Sequence, residues 1–182
     1  MTARLFVSVP VPPGEELRAL LETLGSAMGL RPVREDMLHL TLCFIGDIDE
    51  SMIGTVRACM RDAVRGLVPF TAELEGIGAF PEKGDPRVIW VGTGGSGSRF
   101  TALSAAVRRE FDAAGIRYDR KPFRPHVTVA RVRDGVRRPE LPGFPSGRRF
   151  GTFACDGISL VGSELTPSGA KHTTLCTETG EG

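Results

Sequence analysis

Several things are scarce in this sequence, and each scarcity excludes a class of protein. Apolar residues never gather into a run long enough to cross a bilayer. The first such run, Leu5 to Val9, is cut off by Pro10, Pro12 and Pro13 and is too short for a secretory core. A cytoplasmic protein with no membrane partner is expected. The four cysteines, Cys43, Cys59, Cys155 and Cys176, include no C-x-x-C spacing, which argues against a disulfide framework and fits reduced thiols. A net charge of +1 gives no global attraction to polyanions. The ordinary balance of 41% hydrophobic and 25% charged residues excludes disordered and fibrous classes.

Histidine is also scarce, with three in 182 residues, and two of them occupy equivalent places in a repeated tetrapeptide. His39-Leu40-Thr41-Leu42 returns as His126-Val127-Thr128-Val129. In a strand the His and Thr of each copy share one face while the aliphatic pair turns to a core. Each copy then offers an imidazole beside a hydroxyl. One copy alone would mean no more than a half-buried strand; two matched copies predict two imidazoles across one ligand. Around the second copy crowd Arg117, Arg120, Lys121, Arg124, Arg131, Arg133, Arg137 and Arg138, a local positive field suited to phosphate.

The rest of the chain alternates strands and helices. Arg4 to Val9 reads as a strand. Leu17, Leu20, Leu21, Leu24 and Met28 mark a helix opened by Glu15 and Glu16 and closed near Gly29. Met37 to Ile45 carries the first motif. Ile53, Val56, Met60 and Val64 stripe a second helix, and Phe70 to Ile77 and Arg87 to Gly92 read as strands, with Trp90 in the core or a cleft wall. Gly92 to Ser98 lacks the Lys-Ser/Thr ending of a nucleotide phosphate loop, so no ATP site is expected and Ser98 is assigned to cap a third helix striped by Phe100, Leu103, Val107 and Phe111. Pro122 to Val132 carries the second motif. Arg133 to Arg149 is an aperiodic loop, a candidate flap. Phe150 to Gly162 and Ala170 to Thr177 close the chain, joined by a turn at Thr166-Pro167-Ser168-Gly169.

Two histidines with pKa values near neutrality suit in-line displacement at phosphorus, one as base and one as acid. Thr41, Thr128 and Arg131 are the candidate holders of the non-bridging oxygens. Parity opposes Arg131: five residues past His126, it falls on the other face of a regular strand unless a bulge intervenes. A metal site is disfavoured because neither motif has a second ligand at i+2. Regular alternation also places Cys43 on the face of His39, where a small filler is the simplest role. His172 lies outside both motifs and is expected on a surface or strand face.

The chain resembles the two-histidine (2H) phosphoesterases, within them the RNA 2′,3′-cyclic phosphodiesterases known also as 2′-5′ RNA ligases. The likeness rests on Arg4-Leu5-Phe6-Val7, the two motifs in their flanks His39 to Gly46 and Phe123 to Arg131, Gly78-Ala79-Phe80-Pro81, Arg87 to Gly92, and Leu165 to Gly169. It implies an α+β, bilobal, duplicated fold, with two antiparallel sheets facing a central cleft and helices outside. By the same likeness residues 1–178 form one domain and residues 179–182 a frayed tail. The implied activity opens an RNA terminal 2′,3′-cyclic phosphate to a 2′-phosphate without metal, ATP or other cofactor, with reversible 2′-5′ ligation of RNA ends such as tRNA fragments. His39 would protonate the leaving O3′ and His126 would activate water. A monomer is expected. The alternatives are a small cyclic nucleotide such as ADP-ribose cyclic phosphate as substrate, or an RNA-end binding protein without turnover.

Overall fold

The structure, a computed structural model, describes residues 1–180. Two four-stranded antiparallel sheets carry the motifs. The first is built from β1 (Thr2–Pro10), β3 (His39–Asp49), β9 (Gly157–Thr166) and β10 (Gly169–Thr179), in the order β10-β9-β1-β3. The second is built from β2 (Leu30–Pro32), β5 (Ile77–Phe80), β6 (Val88–Val91) and β7 (Val127–Val132), in the order β2-β7-β6-β5. A third, two-stranded sheet pairs β4 (Phe70–Glu75) with β8 (Arg149–Cys155). Each large sheet receives one motif, and β3 comes into contact with β7. The architecture is the expected α+β one.

The helices form where the apolar stripes predict them. In α1 (Glu15–Ser26), Leu17, Leu20, Leu21 and Leu24 are buried, and Glu15 and Glu16 sit at the positive end. Met28 does not extend that stripe: the helix stops at Ser26 and Met28 is exposed. α1 packs on β2, β7 and β8, whereas α2 (Ile53–Val64) packs on β9 and β10, and α3 (Gly97–Ala113) lies on α2 and β3. Ser98 does not cap α3. The cap position is Ser96, whose hydroxyl instead bonds the Thr93 carbonyl at 2.6 Å and accepts from the Glu73 amide at 3.0 Å.

Two expected single strands are each divided. Gly76, at φ +79°, turns the chain between β4 and β5, which belong to different sheets; such a φ favours glycine. Asp156 separates β8 from β9, which also belong to different sheets. The loop from 133 to 148 is tethered to the segment after α1, through Arg133 N to Gly29 O and Glu140 N to Met28 O, not to either motif. The tail expected from residue 179 is corrected at its first member: Thr179 pairs with Gly157, because buried Glu178 is locked to Arg57 and extends β10. Residues 181 and 182 of that tail lie outside the described residues.

The strand that positions His39 also depends on one buried hydroxyl. Ser104 of α3 donates to the Leu42 carbonyl at 2.7 Å, at a place where β3 departs from regular pairing. Removing it leaves that carbonyl without a partner, so Ser104→Ala should destabilise the fold by about 1–3 kcal/mol. Denaturant titration checks this; an unchanged midpoint would mean that the irregularity stands without the bond.

Candidate active site

His39 begins β3, and His126 immediately precedes β7. Each imidazole is tied in the same way. His39 Nδ1 lies 2.7 Å from the Met37 carbonyl and His126 Nδ1 lies 2.6 Å from the Arg124 carbonyl, two residues upstream in both cases. A carbonyl oxygen only accepts, so Nδ1 carries the proton and Nε2 of each ring is left for a ligand.

The matched geometry continues past the motif. Residues 39–44 and 126–131 share one burial sequence: half-buried, buried, half-buried, buried, buried, exposed. The two consecutive buried positions mark a bulge. On β3, Ser8 pairs with Thr41 and Val7 with Cys43, so Leu42 is the extra residue. On β7, Trp90 pairs with Thr128 and Ile89 with Ala130, so Val129 is extra. The freed carbonyls are both used, Leu42 O by Ser104 and Val129 O by the Val33 amide at 2.8 Å. One inserted residue reverses the alternation beyond it.

That reversal settles the parity problem of Arg131. It shares the exposed face with Thr128, and its positive charge reaches both His39 and His172. The expectation that Cys43 shares the face of His39 is corrected by the same device. The thiol turns inward, is 1% exposed, and is pushed up to about 12 by burial, so it serves as filler. The position matching Arg131 is Phe44, 55% exposed, so the two sides are unlike in charge.

Part of the basic crowding is paired with carboxylates. Arg120 pairs with Asp112, Lys121 with Asp119, and Arg124 with Glu82 while lying over the Phe80 ring.

Aromatic walls flank both imidazoles. Phe80 stands edge-on to His126 at 5.1 Å between ring centroids, with Trp90 at 6.4 Å. Trp90 thus stands beside the His126 ring. Its indole lies on Gly78, where an added Cβ would clash with Cζ2. On the other side Phe6 lies 5.2 Å and His172 5.4 Å from His39. His172, expected on a surface or strand face, does lie on β10 and there meets His39; its spacing gave no signal of that contact, which joins distant strands. A cleft of about 630 Å³ opens beside these residues, lined by Phe6, Ser8, His39, Ser159, Lys171 and His172 among others. Among the described residues, no group of three or more His, Cys, Asp or Glu side chains is gathered for a metal ion.

Burial is the largest influence on all three histidines and lowers each pKa from its ordinary value. The carbonyl bonds to Met37 and Arg124 work upward for His39 and His126, while the charges of His172, Arg131 and His126 lower His39 further. His39 thus feels the charges of His172, Arg131 and His126, whereas His126 is lowered by the charge of Arg124 and His172 by that of Arg131.

A lowered folded pKa means that the unfolded chain takes up protons first as pH falls past about 6.5. Stability contributed by the neutral imidazoles is therefore present above that pH and lost through the lowered folded values. The denaturant midpoint should fall between pH 7 and 5, and fall less in His39→Gln. A midpoint that rises on acidification would contradict this.

The sequence pattern of the LigT-like phosphoesterases matches residues 7–90 and 94–172. An RNA 2′,3′-cyclic phosphodiesterase of Archaeoglobus fulgidus is 33% identical over 177 residues, covering 94% of this chain and 97% of that protein. One of the same name from Thermus thermophilus is 35% identical, covering 94% and 87%. A crystal structure of a Thermus thermophilus protein, 34% identical, superposes with a TM-score of 0.79 over 98% of each chain. A pattern spanning both motifs, relatives matched along nearly their whole length and a shared architecture lead to one conclusion: this chain belongs to the LigT-like phosphoesterase family.

Proposed function

We propose that this protein hydrolyses RNA terminal 2′,3′-cyclic phosphates to 2′-phosphomonoesters, using His39 and His126 as an acid-base pair. The names of its relatives support the substrate class. The observation that supports the mechanism is the matched anchoring of the two rings, which leaves Nε2 of each free for a ligand.

In the step itself, His126 Nε2 takes a proton from water as the water oxygen bonds to phosphorus. The P–O3′ bond breaks, and Nε2–H of protonated His39 delivers its proton to O3′. The product keeps the phosphate on O2′. Arg131, with the Thr41 and Thr128 hydroxyls, holds the non-bridging oxygens, whose charge changes in the transition state. The roles of acid, base and anion holder are filled by side chains, so no metal is required.

One feature favours His39 as the acid. In-line attack puts water opposite O3′, so the ribose and the rest of the RNA lie on the acid's side, and the large cleft adjoins His39. Water attack from the His126 side needs little room. A 5′-hydroxyl of a second RNA end in place of water would give a 2′-5′ linkage by the same proton transfers.

The bound phosphate also decides the pH dependence. In the free protein, burial and the neighbouring cations make protonated His39 scarce at neutral pH. A phosphate anion beside it restores the charged form. The rate should follow a bell whose alkaline limb lies at higher pH in kcat than in kcat/KM.

Turnover of a 2′,3′-cyclic-ended oligonucleotide in the presence of chelator tests the proposal. His39→Ala and His126→Ala should each cost about 10²-fold or more, and the double variant far less than the product. Arg131→Ala should lower kcat as well as affinity. A leaving group that needs no protonation should rescue His39→Ala and not His126→Ala. Tight binding without product would leave only an RNA-end binder, and turnover confined to small cyclic nucleotides would change the substrate.

A further inference from the structure

His172 has no task in that mechanism, yet the fold brings it to His39 across an unusual distance. β10 and β3 are opposite edges of the first sheet. Three strand spacings of about 4.8 Å put their backbones roughly 14 Å apart in a flat sheet. The two imidazoles are nevertheless 5.4 Å apart between centroids. The two side chains therefore lean toward each other over Phe6 of β1, whose ring is 5.0 Å from His172 and 5.2 Å from His39.

The three rings form a closed triangle. His172 meets His39 edge-on at 75° and Phe6 at 68°. The final torsion of a histidine side chain has a broad, soft profile. One hydrogen bond at Nδ1 does not stop the ring from rocking about it. Phe6 on one flank and the His172 edge on another supply that restraint.

Charge adds a second condition. The Arg131 guanidinium on β7 acts on both His39 and His172, and His126 acts on His39. Lys171 is the next residue along β10, and Arg34 and Asp36, paired with each other, line the same cleft. In this setting a second imidazolium against the first is unfavourable, so the neighbouring rings share one proton at most.

We propose that His172 is a positioning residue for the His39 acid: its ring edge holds the imidazole so that Nε2 points at the leaving oxygen, and it stays uncharged while His39 carries the proton. This rests on the reading of His39 as acid. His172 itself neither gives nor takes a proton in the reaction.

Two variants separate packing from charge, assayed on a 2′,3′-cyclic-ended oligonucleotide and by ¹⁵N NMR titration of His39. His172→Ala should lower kcat about tenfold, less than removal of an acid or base itself, with KM changed less than about twofold. His172→Phe keeps an aromatic edge, so it should recover most of kcat. It should also move both the alkaline limb of kcat/KM and the His39 titration upward, because the competing charge is gone. Unchanged kcat in His172→Ala together with an unmoved His39 titration in His172→Phe would overturn the proposal. The titration needs no turnover, so the two failures are distinguishable: a fully active His39→Ala would overturn the acid reading beneath it, whatever His172 does.

Discussion

The two motif imidazoles, His39 and His126, are each held by one short hydrogen bond to the carbonyl two residues before it, and the site is built on that constraint. The bond fixes the tautomer in both copies, Nδ1–H inward and Nε2 outward. It also ties ring orientation to the backbone path just ahead of each strand, where Met37 ends a 3-10 turn and Pro125 follows Arg124. With the anchors in place, the pair is symmetric in geometry. The difference between acid and base must then come from the surroundings, and these do differ: Arg131 stands where its counterpart is Phe44, and a broad cleft borders His39.

The bulges matter next. An uninterrupted β7 would turn Arg131 to the core, where an unpaired guanidinium is costly, and an uninterrupted β3 would put Cys43 beside the ligand. Inserting Leu42 and Val129 avoids both. Each insertion frees a backbone carbonyl that must be satisfied, and each carbonyl finds a donor outside its own hairpin, one from α3 and one from Val33 beside β2. Catalytic geometry and tertiary packing are thus connected through two single hydrogen bonds.

What could be read in the sequence follows from this. The helix stripes were legible because their period is local, and the His-Thr faces because strand alternation holds over the first four residues. Arg131 was legible only on condition of a bulge, and the inward turn of Cys43 was not legible, since the bulged carbonyls bond Ser104 and Val33, which lie far along the chain. His172 was hidden for a similar reason: its contact with His39 joins the two edge strands of one sheet, far apart in sequence. Alternation also cannot reveal a change of sheet, so the breaks at Gly76 and Asp156 passed as continuous strands. The end of β10 was misread as tail because Glu178 finds Arg57 only in the folded chain.

The central claim is that two Nε2 atoms address one phosphate. Histidine-selective ¹⁵N NMR during titration with adenosine 2′-monophosphate, the form of the expected product, tests it most directly. The account predicts Nδ1–H tautomers for His39 and His126 before addition, and Nε2 signals of both that move along one saturation curve while Nδ1 stays bonded. An Nε2–H tautomer at either ring, or a shift confined to one of the two, would contradict it.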